Sequence, residues 1–203
     1  MALDPNKVID DLAEGNKRFL SGKSTQTTES SLKKLKAFGK DGQIPKAIFL
    51  CCADSRAPVE MIFDQDVGDL FVIRVAGNIV APSLVGSVEF AASAFGTRLV
   101  VVMGHSQCGA IKATLDNIDG SQEVASENIH DIVSRIKPHI FSISQLKDLE
   151  YGERWDKAVQ ANVMASVGQL SHSSRIIEEL VGKEKLKIVG AVLDLDTGKV
   201  DFV

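Results

Sequence analysis

From Asp4 to Leu20 the apolar residues Val8, Ile9, Leu12, Ala13 and Phe19 recur at close to helical spacing with charges between them, which predicts a helix at the head of the chain. The Ser- and Thr-rich stretch from Ser21 to Ser31 predicts a loop. A basic second helix follows through Leu32, Leu35 and Phe38, with Gly39 and Gly42 as its stop signal. The pattern then changes. Lys46 to Cys51 is a short apolar run bounded by Pro45 and the polar Asp54-Ser55-Arg56, the signature of a buried strand with Cys52 at its C-terminal end. Leu70 to Val75 reads as a strand, Pro82 to Phe95 as a helix and Leu99 to Met103 as another buried strand. Long helical patterns fill Ser121 to Leu180. Leu186 to Leu193, the turn Asp196-Thr197-Gly198 and Lys199 to Val203 predict a terminal hairpin.

Strands that alternate with helices imply right-handed crossovers and a mostly parallel sheet with flanking helices, an α/β fold in which ligands gather at the C-terminal ends of the strands. The pattern divides the chain into an N-terminal helical arm, residues 1–42, and an α/β domain, residues 43–203, that ends in an antiparallel edge. Internal repeats and low-complexity tracts are absent from the sequence.

Composition narrows the classes of function. With 203 residues, 44% of them hydrophobic, the chain is long enough for one sizeable core. A formal net charge of −4 gives no electrostatic reason to expect nucleic acid or an anionic membrane surface, and a small substrate fits better. No run approaches the roughly 18 consecutive apolar residues of a membrane span. The opening MALDPNKVIDDLAEG has neither the apolar core of a signal peptide nor the basic character of a transit peptide. Three cysteines are too few and too odd in number for a disulfide scaffold, so reduced thiols and a cytoplasmic location are expected. No G-x-G-x-x-G follows the first strand, which argues against a dinucleotide-binding domain.

Those thiols fall where chemistry is expected. Cys52 opens Cys52-Ala53-Asp54-Ser55-Arg56, and His105 stands three residues before Cys108, both segments following predicted buried strands. Two thiolates and one imidazole make a zinc-suited set that leaves the fourth tetrahedral position open for water, as catalytic rather than structural zinc sites do. Zinc lowers the pKa of such a water to roughly 7 and so supplies a nucleophile at neutral pH. Asp54 and Arg56 share one short loop, so the guanidinium can hold the carboxylate ionised and oriented toward that water's proton. The same carboxylate could instead swing onto zinc as a fourth ligand and close the site. Cys51, in the opposite strand phase, reads as a packed free thiol.

Cys52-x-Asp54-x-Arg56 with His105-x-x-Cys108 resembles the signature of the β-class carbonic anhydrases, and DLFVIRVAGN, SVEFAASAFG, LVVVMGHSQCGAI and GAVLDLDTGKV resemble that family around it. The resemblance implies hydration of carbon dioxide to bicarbonate and a proton, one Zn2+ per subunit, and N-terminal helices wrapped over a partner in a homodimer or homotetramer. It implies a substrate pocket in which Gln43 hydrogen-bonds substrate, Phe71, Ala76 and Phe90 form apolar walls partly lent by the neighbouring subunit, and Gly109 follows the last ligand. The same apolar residues are equally at home in ordinary core packing.

Two departures from the family pattern stand out. Phe90 and Ala94 replace a tyrosine and a histidine implicated in proton transfer, and the remaining histidines, His130, His139 and His172, lie in no recognisable motif. Some bacterial members bind bicarbonate at a non-catalytic pocket and close by placing the aspartate on zinc. Of that pocket only Arg74 is present, Phe49 and Leu193 standing at the other two positions, so an accessible metal site at neutral or alkaline pH is expected. The rival readings are hydrolysis of carbonyl sulfide or carbon disulfide on the same scaffold, and a zinc-binding relative without catalysis. A hydroxide-orienting Asp54 and Arg56 pair speaks against the latter.

Overall fold

A computed structural model describes residues 3–203, so the first two residues of the arm lie outside it. The chain begins with α1 (Pro5–Leu20), which Asp4 caps by accepting the N–H of Asn6 and which carries proline at its first position, where the missing N–H costs nothing. Next comes α2 (Thr28–Asp41), started by a reciprocal capping box between Thr27 and Ser30. It runs through Gly39, contrary to the sequence reading. The stop is Gly42, whose φ of 80° is a left-handed conformation that ends the helix.

Five strands follow: β1 (Ala47–Cys51), β2 (Leu70–Arg74), β3 (Leu99–His105), β4 (Lys187–Leu193) and β5 (Val200–Phe202). They form one sheet in the order β2-β1-β3-β4-β5, parallel throughout except for the antiparallel β4–β5 hairpin. The two central strands are buried along their full length, which is why they read as unbroken apolar runs. The short helix α3 (Val59–Ile62) and α4 (Pro82–Ala94) flank β2 in sequence. Between β3 and β4 lie α5 (Gly109–Ile118), α6 (Glu127–Ser144), α7 (Tyr151–Ser171) and α8 (Arg175–Gly182).

Strand alternation sorts the core. Ala47, Phe49, Cys51, Val101, Met103 and Leu193 face α1 and α3, and Ile48, Leu50, Val100 and Val102 face α4 and α8. A third cluster caps the C-terminal ends of β1 and β3 with Ile79, Ile111, Ile136, Ala158 and Val159, and Cys52 and Cys108 belong to it. α1 packs on its own chain: Val8, Leu12, Gly15 and Asn16 are buried, and Asn16 ties the carbonyls of Ile62 and Gly198 together. α2 buries none of its residues, and Leu32 and Leu35 are exposed. No helix among the described residues is long and apolar enough to cross a membrane.

Candidate metal centre

Cys52 is the first residue beyond β1, His105 is the last residue of β3, and Cys108 is the N-cap of α5. Adjacent parallel strands thus deliver two ligands side by side, and a tight turn brings the third back to them. The turn is held open by Gln107 at φ 55° and is braced from the β4–β5 turn. There Leu193 accepts from the N–H of Ser106, the Ser106 hydroxyl accepts from the N–H of Leu195, and the Gln107 amide donates to Asp196 at 3.2 Å.

The ligand atoms of Cys52, His105 and Cys108 all lie within 4.8 Å of one another, and all three residues are buried. The His105 Nδ1 is 2.8 Å from the Ser106 carbonyl, which can only accept, so Nδ1 carries the proton and Nε2 keeps a free lone pair. That Nε2 is buried with no hydrogen-bond partner. A buried acceptor aimed at two sulfurs is what a metal ligand looks like before its ion is considered.

The thiols are prepared for the same role. The Cys52 thiol is drawn down, foremost by the hydrogen bond from Cys108 and then, against burial, by the backbone amides of Gly77 and Asp54. Its thiolate and burial push the neighbouring Cys108 thiol up, since the sulfurs are 4.0 Å apart. A divalent cation at the three donors removes that conflict, and the N-terminal end of α5 adds a favourable dipole at Cys108. The residues present therefore fit zinc.

Beside the donors sits Asp54. Arg56 grips both of its oxygens, Nε on Oδ1 and Nη2 on Oδ2, each at 2.9 Å, and the Arg56 N–H adds a third bond to Oδ1. This holds the Asp54 carboxyl well below the usual carboxylate range. Oδ2 is 3.8 Å from His105 Nε2, so the carboxylate borders the donor set. Arg56 also reaches the Gln107 carbonyl, which couples the pair to the ligand turn. Arg74 is committed to the backbone carbonyls of Cys52 and Asp54.

The other sequence-predicted site residues divide into two groups. Ala76 lies in the single 3₁₀ turn Ala76–Asn78, next to Gly77, whose N–H is 3.4 Å from Cys52 Sγ, and Gly109 starts α5 directly after Cys108. Gln43, Phe71 and Phe90 are elsewhere in the protomer. Gln43 precedes β1, on the far side of a strand about 17 Å long from Cys52. Phe71 pairs in register with Ile48 and packs with Phe90 and Phe95, ring centroids 5.4–6.4 Å apart, against the α4 side of the sheet. Phe90 remains 56% exposed. Sequence reasoning missed Gly77, Gln107 and Trp155, which touch the ligand segments, and Asn162, which holds Gly77. Only Gly77 carried a local signal, a glycine three residues after the end of β2.

The model of the carbonic anhydrase family matches residues 47–200. Carbonic anhydrase 2 of Mycobacterium tuberculosis is 36% identical over 189 residues, covering 93% of this chain and 87% of that one. The carbonic anhydrase of Mycolicibacterium smegmatis is 35% identical over 191 residues, covering 94% and 89%. The structure of the beta-carbonic anhydrase CcaA superposes with a TM-score of 0.72 at 27% identity, covering 97% of this chain and 98% of that one. With the fold, the convergent donors and these likenesses in agreement, the chain belongs to the β-carbonic anhydrase family, a family of carbonate dehydratases.

Proposed function

We propose that this chain catalyses the reversible hydration of carbon dioxide to bicarbonate and a proton, with zinc held by Cys52 Sγ, His105 Nε2 and Cys108 Sγ. The observation that carries this reading is the meeting of three soft donors within 4.8 Å, next to a carboxylate locked in place by an arginine. When bound, zinc supplies the Lewis acidity that makes a water nucleophilic at neutral pH. Asp54, kept ionised by Arg56, can only accept, so it takes a hydrogen bond from that water and leaves an oxygen lone pair turned toward substrate. Because both carboxylate oxygens are engaged by Arg56, the pair also opposes a swing of Asp54 into the donor set, which supports the accessible form of the site.

Gln43, Phe71 and Phe90 then serve a neighbouring subunit's site in a homodimer or homotetramer, together with Ala76 and Gly109 of that subunit. Two features support this arrangement. Among the described residues β2 is an open edge of the sheet, pairing only with β1, and the segment before β1 exposes Leu32, Leu35 and Ile44, the last at 74%. Apolar walls suit carbon dioxide, and Gln43 suits bicarbonate as it forms. The free state of all three cysteines agrees with a reducing compartment, the cytoplasm.

The test is rapid-mixing carbon dioxide hydration with metal analysis on the wild type and on Cys108→Ser. Stoichiometric zinc and hydration in the wild type, both lost in the variant, are expected. Zinc bound without hydration at pH 8.5 overturns the enzyme reading. Sulfide release from carbonyl sulfide and carbon disulfide by the same preparation decides between carbon dioxide and its sulfur analogues.

A further inference from the structure

The inner face of α7 holds the backbone beside both cysteine ligands. Trp155, Val159 and Asn162 are spaced four and three residues apart, so they lie along one side of the helix over two turns. Trp155 Nε1 donates to the Cys108 carbonyl at 3.0 Å, and Val159 is buried between. Asn162, 0% exposed, donates through Nδ2 to the Gly77 carbonyl at 2.9 Å. Gly77 in turn points its N–H at Cys52 Sγ.

The orientation of that buried amide is determined. A carbonyl accepts and never donates, so Nδ2 must face Gly77, and Oδ1 then receives the Nδ1 proton of His139 at 2.9 Å. Gly77 has φ 69°, and a Cβ there would stand 2.7 Å from Ile136 Cδ1 and 3.0 Å from Ala110 Cβ. The sulfur-facing turn is therefore closed to other side chains, and a partner for its carbonyl anchors the turn that carries its N–H. Hydrogen bonds to a ligating sulfur withdraw charge from it and hold it in place, which tunes how tightly it binds a metal.

We infer that α7 is the positioning element of the metal centre, with Asn162 acting on Cys52 through Gly77 and Trp155 acting on Cys108 through its carbonyl. The inference rests on the zinc site proposed above. It makes Asn162 and Trp155 positioning residues, since neither reaches the donor atoms themselves. His139 orients the Asn162 amide.

The experiment compares wild type, Asn162→Leu, Trp155→Phe and, as a control, Val163→Ala, a buried apolar position on the same helix with no polar contact to the ligand segments. Zinc affinity is read by chelator competition, the sulfur-to-metal charge-transfer absorption on cobalt-substituted protein, and folding by circular dichroism and Tm. Asn162→Leu and Trp155→Phe are each expected to weaken zinc binding about 10-fold or more and to shift the cobalt band. Val163→Ala should lower Tm while leaving affinity and band at wild-type values. If Asn162→Leu does not fold, Trp155→Phe, which keeps an aromatic ring at the position but loses the N–H donor with the rest of the indole, decides alone, with Val163→Ala as the measure of lost volume. Folded variants with wild-type affinity and spectrum overturn the inference, as does a Val163→Ala that weakens zinc equally. A wild type that binds no zinc sinks this inference and the proposed function together, whereas unchanged variants of a zinc-loaded wild type sink only this one.

Discussion

Arg56 and Asp54 meet fork to fork, Nε and Nη2 each 2.9 Å from a carboxylate oxygen, on a loop that leaves Oδ2 facing His105. An exposed ion pair adds little stability, so the value of this one lies in where it points the carboxylate. Arg56→Ala frees Asp54 to rotate. A drop in kcat/KM on the order of 100-fold at unchanged zinc content is expected, the lower end of what a positioned proton acceptor contributes. Arg56→Lys should recover only part of the rate, because an ammonium cannot engage both oxygens in a fixed plane. Stopped-flow hydration with metal analysis checks this, and a wild-type rate in Arg56→Ala removes Asp54 orientation from the mechanism.

A second carboxylate ties the N-terminal arm to the domain and sets an acid limit on its attachment. Burial alone would raise Asp64. The Arg18 guanidinium and the N–H and hydroxyl of Thr25, the latter two at 2.8 and 3.0 Å, outweigh it and bring the group below its ordinary value. A folded pKa below the unfolded one, about 3.9, means the stabilisation is complete above that value and is lost as pH falls through the folded pKa. Hydrogen exchange in the Thr25–Asp41 segment should therefore rise on acidification before exchange in β1 and β3 does. Asp64→Asn is expected to lower stability at pH 7 by about 1.5–3 kcal/mol and to flatten its acid dependence, as measured by urea unfolding at pH 7 and pH 4.

What the sequence made legible was whatever depends on neighbours along the chain. Lys46 to Cys51 and Leu99 to Met103 announced buried strands because both faces of a central parallel strand are covered, and a ligand at the end of each strand follows from that topology. α5 escaped notice because its N-cap is Cys108, which offers no side-chain cap, so none of the usual start residues precedes Gly109. Gly39 misled because a glycine inside a helix costs only about 1 kcal/mol, which the rest of α2 can carry. Trp155 and Asn162 could not be read at all. They act across 47 and 85 residues of sequence, and nothing in their own helix distinguishes them from ordinary core positions.

Glycines that look alike in sequence should behave oppositely. A Cβ at Gly15 would sit 1.9 Å from the Phe63 carbonyl oxygen, a backbone atom that cannot move aside, whereas a Cβ at Gly168 meets nothing within 4 Å. Gly15→Ala is expected to push α1 off the sheet and cost more than about 2 kcal/mol, in the range of an overpacked core. Gly168→Ala, exposed on α7, should raise stability by about 0.5–1 kcal/mol through helix propensity. Thermal unfolding of the two single variants checks both signs at once.

Cys51 and Cys52 are adjacent in sequence and opposite in chemistry, because consecutive strand positions face opposite sides. Cys51 lies in the core beneath α1 and α3 with its sulfur 3.8 Å from the Ile73 carbonyl, and burial pushes its thiol up to about 12 in spite of Arg74. A thiol so protonated at neutral pH is neither a metal ligand nor a nucleophile. Cys51→Ala should therefore keep full zinc content and hydration and cost about 1–2 kcal/mol of stability for the lost sulfur contacts. Cys52→Ala should abolish zinc binding. Metal analysis and urea unfolding on the pair decide the matter, and loss of zinc in a folded Cys51→Ala would mean that the ligand assignment at this strand end is wrong by one residue.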